Sequence, residues 1–215
     1  TLNNKSGGTL NNQYLLDSDG ELNNQSGGTL NNNTGATLNI NDVLINHGSL
    51  NNVGTLNNNG DLDNLDTLNN QSGGMLNNNT GATMENQATL ENLGTLNNNT
   101  GADLTNWVML ENQGTLVNTG TLNNEGTLNN NTGAYLHNDD TLKNMGTLTN
   151  NTGATLNNWN MLENQTDGQL VNSGTLNNYA TFENNGTLTN NTGAHLENDD
   201  TLKNMGTLTN NTGAT

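Results

Sequence analysis

The sequence predicts an all-β chain wound into a three-sided parallel β-helix (β-solenoid) of about 20 residues per coil. Three observations carry that expectation. A six-residue phrase, Thr-Leu-x-Asn-x-Gly, restarts from end to end and stretches in places to eight residues, as Thr-Leu-Asn-Asn-Asn-Thr-Gly-Ala. Its second position is almost always Leu, and its fourth almost always Asn. From Thr55 to Ala214 the chain divides into eight windows of 20 residues, each holding two short phrases and one long one.

Cutting the chain at each phrase start gives 31 phrases, beginning at Thr1, Thr9, Glu21, Thr29, Thr37, Val43, Ser49 and Thr55 and continuing to Thr207. Position two departs from Leu only at Met84 and Phe182, which are also large and apolar, so this position faces a core. Position four departs from Asn only at Ile40, an inward apolar residue, so it faces inward as well. Both point to one side only if the backbone between them is extended, which makes each phrase a very short strand. Gly, Ala or Asp at position six then supplies the turn. Gly takes up positive φ without strain, and the position-four Asn is expected to tolerate it too. A six-residue apolar spacing matches neither 3.6 nor 3.5, which excludes a helix.

Each phrase is too small to bury its own Leu and must stack on copies of itself. Three phrases per window mean three sides per coil, and the long phrase sits first, second or third in different windows. The expected constant is therefore the length of the circuit. Upstream of Thr55 the register is weaker, because residues 9–20 carry the insertion QYLLDSDG, read as a loop. Residues 135–154 and 195–214 are near-identical and 60 residues apart, so the array grew by copying whole coils. The expected core column includes Leu104, Leu142, Leu162, Phe182 and Leu202. The expected ladder of stacked amides includes Asn124, Asn144, Asn164, Asn184 and Asn204.

No linker or charge block interrupts the repeat, so residues 1–215 read as a single solenoid domain, a segment of a longer array, on the order of 50 Å long. Net charge is −17 with three lysines and no arginine, which argues against nucleic acid and against anionic lipid surfaces. No apolar run approaches transmembrane length, and no insertion into a membrane is expected. The absence of Cys leaves the redox compartment unread.

Little in the pattern points to chemistry. His47, His137 and His195 occupy positions five, three and one of their phrases, too scattered for a catalytic or metal cluster, and no cofactor is implied. Acidic residues at position three and in the Asn-Asp-Asp corners (Asp139, Asp140, Asp199, Asp200) read as a solubilising surface, since the GGxGxD loop of calcium-binding β-rolls is absent. Asn-x-Thr sequons such as Asn78 and Asn98 fall on the inward Asn, where a glycan does not fit. Trp159 and Tyr179 are expected to stack on one corner ridge, as a ladder or as a contact for sugar or another fibre. Regular outward Thr raises ice binding as the alternative function. Thr147/Thr149, Thr187/Thr189 and Thr207/Thr209 fall on one side, but Gln169 and Val171 interrupt them.

Tandem Gly-Thr-Leu-x-Asn-x-Gly phrases, as in GTLVNTGTLNNEGTLNNNTGA (114–134), resemble the repeats of filamentous haemagglutinin-like exoproteins and other large bacterial surface adhesins. The resemblance implies a right-handed triangular β-helix acting as a secreted, cell-surface stalk or fibre rather than an enzyme. The expected partners are its own copies, joined head to tail because both ends break off within a repeat and present unpaired coils, or a host or cell-surface glycan or protein. Left-handed hexapeptide helices also have three six-residue sides, but many are acyltransferases with a projecting catalytic His, which the scattered His here does not match.

Overall fold

The computed structural model describes residues 1–215 and contains thirty-two short strands and no helix. One residue separates the Leu and Asn of each phrase, so an extended backbone turns both inward. In the strand Thr29–Asn32, Leu30 and Asn32 are fully buried while Thr29 and Asn31 are half-exposed. Every third strand returns to the same side of the rod. The result is three parallel sheets of eleven, eleven and ten strands, which begin with Leu2–Asn4, Thr9–Asn12 and Leu15–Ser18 and are called first, second and third below.

Register follows the phrase rather than the residue count. In the first sheet Leu142 pairs with Leu162, Leu162 with Phe182 and Phe182 with Leu202, and Leu104 lies in the same column beside Met84. Stacked partners are separated by 20 residues at many places, but by 18 between Asn46 and Asn64 and by 22 between Asn64 and Asn86. The expected constant circuit length is thus corrected. Three phrases close each coil, and the length varies with the number of long phrases on the path.

The segment read as a loop insertion is also corrected. Leu15–Ser18 is a strand that opens the third sheet and pairs in register with Thr37–Ile40. It was missed because Ser18 replaces the signature Asn. The Ser18 hydroxyl is nearly buried and donates to the Gly20 carbonyl at 2.7 Å, a shorter-range substitute for the amide.

Inside the coils the Leu side chains form one continuous cluster from Leu22 to Leu188. Beside it run three amide ladders. Each inward Asn donates from Nδ2 to Oδ1 of the Asn one coil further along the chain. The first column is unbroken from Asn4 to Asn204 at 2.6–2.8 Å and passes through Asn124, Asn144, Asn164 and Asn184. The second column is unbroken from Asn12 to Asn210. The other Nδ2 hydrogen reaches the backbone of the next side, as from Asn124 to the Thr147 carbonyl at 2.9 Å. Only a short side chain with both donors and an acceptor can do this, so the amides tie coil to coil and side to side. Leu202 is half-buried, while Asn204 is exposed because no further coil covers it here.

The third column holds Ser18 and Ile40 before its ladder starts at Asn58. Ile40 has no donor to offer, and the buried Oδ1 of Asn58 has no hydrogen-bond partner.

The corners differ from expectation as well. No residue other than glycine has positive φ, so the position-four Asn is a strand residue and not a turn former. Left-handed glycines such as Gly101, with φ of 74°, sit in the loops of the long phrases. In short phrases Gly serves a different purpose. A Cβ on Gly146 would lie 2.0 Å from the Gly126 carbonyl oxygen of the preceding coil. This close approach lets the N–H groups of Met145 and Gly146 both donate to the Asn124 carbonyl, at 2.8 and 3.0 Å. Gly146→Ala is expected to cost about 1–3 kcal/mol by overpacking. Ala88→Gly, at the same corner but with no such second bond, should cost no more than about 1 kcal/mol. Urea midpoints of the two variants check the contrast.

Candidate functional site

Outward positions one, three and five form columns along the rod, so any functional surface here is built from residues about 20 apart in sequence. Trp159 and Tyr179 follow the strands Thr155–Asn158 and Thr175–Asn178 of the third sheet and meet with ring centroids 4.1 Å apart at 26°. His137 lies 6.2 Å from the Trp159 ring on the other side. The facing ring surfaces are therefore covered by one another, while Trp159 as a whole stays half-exposed. The stacking itself makes a corner ladder, contributing about 0.5–1.5 kcal/mol beyond area burial. Trp107 follows the first-sheet strand Asp103–Asn106 and stands with Val108 and Met109 as an exposed apolar corner away from this stack.

The histidines stay apart in role. His137 Nε2 is 3.0 Å from Asp139, while His195 Nδ1 is 2.9 Å from the Thr215 hydroxyl. No three His, Cys, Asp or Glu side chains converge in a way that could hold a metal ion. At the Asn-Asp-Asp corners the backbone takes part in local bonding: Asn138 Nδ2 donates to the Asp140 carbonyl at 3.0 Å, and Thr141 Oγ1 to its carboxylate at 3.2 Å. The sequon residues Asn32, Asn78, Asn98, Asn130 and Asn150 are fully buried in the ladders. No helix is long and apolar enough to cross a membrane.

One carboxyl is perturbed. Asp63 pairs with Glu85 on the first sheet, and its pKa is raised above the usual 3.8 by burial, then by the negative charges of Glu85 and Asp61. A raised acid destabilises the folded state at neutral pH, and the strain is relieved as pH falls through the folded pKa. Asp63→Asn should therefore raise the melting temperature at pH 7 and lose that advantage below about pH 3.8. Thermal scans from pH 7 to pH 3 check it.

Sorting the charges by side reveals a feature that sequence reading missed. The outward residues of the second sheet and of the corner that follows it carry only two charges, Glu91 and Glu111. All three lysines and every other acidic residue lie on the first and third sheets and their trailing corners. Position one of the second sheet is Thr or Ser in every strand except those starting at Met109 and Gln169. The signal was available in the phrase count, but it emerges only when every third phrase is read together over the whole length.

No protein-family model matches the chain, and no curated protein does. Among solved structures it is similar to the crystal structure of a TibC-catalysed, hyper-glycosylated TibA fragment. The match covers 98% of this chain and 84% of that one, at 17% identity and a TM-score of 0.35.

Proposed function

We propose that this chain is a structural and adhesive stalk segment of a bacterial surface protein, working outside the cell. The observation that carries the reading is the pair of amide ladders that run unbroken along the full rod, beside a single Leu core. Such a body has no built catalytic constellation, and its repeated coils suit holding distance and presenting long faces. Partners on this reading are extracellular glycans or proteins of a host or neighbouring cell. Copies of the rod itself are a further partner, because ladders that donate in one direction are complementary end to end.

Beads coated with the protein test the adhesive part on arrays of extracellular glycans and matrix proteins. Retention against flow on at least one class, competed by soluble rod, is expected. Coated beads indistinguishable from albumin-coated beads on every surface would overturn it. Ice binding is the second reading, favoured by the Thr column of the second sheet, and a thermal hysteresis measurement decides it.

A further inference from the structure

We infer that the second sheet is a side-by-side docking face for a second copy of this chain. The first argument is charge. Two rods of net charge −17 repel wherever charged faces meet. At physiological salt that repulsion fades over about 8 Å. Pairing through the second sheet turns the charge-bearing first and third sheets away from the contact. Within the face only Glu91 and Glu111 then remain, with Asp66, which accepts from Thr67 at 3.2 Å, at its leading edge.

The second argument is that most outward amides and both carboxylates of this face are paired within the rod before anything binds it. Its outward amides form a ladder of their own, Asn31 donating to Asn11 at 2.8 Å, Asn51 to Asn31 at 2.9 Å and Asn69 to Asn51 at 3.0 Å. The two carboxylates are also engaged. Glu111 accepts from Asn129 and Asn131 at 2.7 and 2.6 Å, and Glu91 accepts from Gln113 at 2.8 Å. Polar groups already paired within the rod cost less to desolvate, which lowers the penalty of docking for these amides and carboxylates and leaves the Thr hydroxyls to be paired across the contact.

Area is the third argument. Eleven strands of four residues make a face of about 50 Å by 14 Å, or about 700 Å² per rod. Two such faces bury about 1,400 Å², within the range of specific, stable interfaces. The Thr methyl groups and Met109 supply the apolar part, and regular 4.8 Å columns let two sheets interdigitate as in a polar zipper. Glu91 and Glu111 act as a brake, because both symmetric alignments of two full-length faces bring at least one of them near its counterpart.

Sedimentation velocity and small-angle scattering on the 215-residue protein in 0.15 M NaCl test the pairing. The expected species is a dimer whose maximum dimension stays near the single-rod length of about 50 Å. Its dissociation constant should fall as salt is raised and fall further in Glu91→Gln/Glu111→Gln. Thr127→Glu/Thr147→Glu/Thr187→Glu on this face should weaken dimerisation at least tenfold, while Thr121→Glu/Thr141→Glu/Thr181→Glu on the first sheet, with the same added charge, should change it less than threefold. Should the first triple variant not fold, single cysteines replace it in this Cys-free chain. Oxidation should then cross-link Glu111→Cys rods, whose cysteine lies on the middle strand and meets its counterpart in either alignment, much faster than Asn157→Cys rods of the third sheet. A strict monomer at all concentrations, a dimer of doubled length, equal effects of the two triple variants, or a monomer that shapes ice crystals through this face would each overturn the inference. None of these outcomes depends on whether coated beads adhere, so the two proposals fail separately.

Discussion

Asn144→Asp is expected to lower the stability of the rod by about 3–5 kcal/mol at pH 7. Asn144 accepts from Asn124 at 2.7 Å, donates to Asn164 at 2.8 Å and donates to the Gln169 carbonyl at 3.0 Å. A carboxylate of the same shape keeps the first bond and replaces the other two with oxygen facing oxygen, inside a fully buried column. Burial and the facing oxygens raise its pKa, so the lost stability returns in part as pH falls through the folded value, where the protonated acid regains one donor. Asn144→Leu supplies the contrast. It orphans the Asn124 donor and the Asn164 acceptor without adding a charge, so its cost should be independent of pH. Denaturant titrations of both variants at pH 7 and pH 4 check the pH contrast, and the size of the Asn144→Leu loss distinguishes a ladder from mere packing, since a site that only packs would accept Leu at little cost.

Phe182→Ala is expected to cost about 3–5 kcal/mol, whereas Phe182→Leu should cost less than about 1.5 kcal/mol. Phe182 is fully buried between Leu162 and Leu202, in a column otherwise built of Leu and Met. The site therefore accepts Leu by its neighbours' own precedent, while Ala leaves a void that the stacked backbone cannot close. Because each coil touches only the next, the damage should be local. Amide hydrogen exchange should quicken around residues 161–204 and stay unchanged near Leu50. Uniform acceleration along the chain would instead mean that the whole rod opens as one unit.

Sheet number and core register were legible in the sequence because the phrase itself encodes them. A Leu and an Asn two residues apart state which side is inside, and three phrases per window state how many sides there are. Leu15–Ser18 escaped because the reading depended on Asn, and Ser18 fills the same inward place with a hydroxyl. Glycine at short corners was assigned to backbone conformation, when at Gly146 it answers to the nearness of another coil, a relation that no single phrase contains. The Trp159 and Tyr179 stack was legible from spacing, and the 4.1 Å separation of the rings adds that their facing surfaces cover one another. The charge-poor second sheet was hidden for a similar reason, since its residues are dispersed through the whole chain.

The interchangeability of phrases has a consequence for how such a rod changes over generations. The phrases DLTNWV (103–108) and TLNNWN (155–160) correspond, yet Trp107 follows the first sheet and Trp159 the third. Eight phrases separate them, one fewer than three full coils. The additional phrase TFENNG (181–186) makes up the difference, and beyond it the two copies agree in phase, with Leu136 and Leu196 both in the third sheet and Leu142 and Leu202 both in the first. Loss of those six residues would leave every inward Leu and Asn stacked on its own kind while turning all that follows by a third of a revolution. Thr187, Thr189, Thr207 and Thr209 would then move onto the charged first sheet. The core is blind to this rotation and the surface is not, so the number of phrases modulo three is an inherited variable that rewrites what the rod can touch without altering what holds it together.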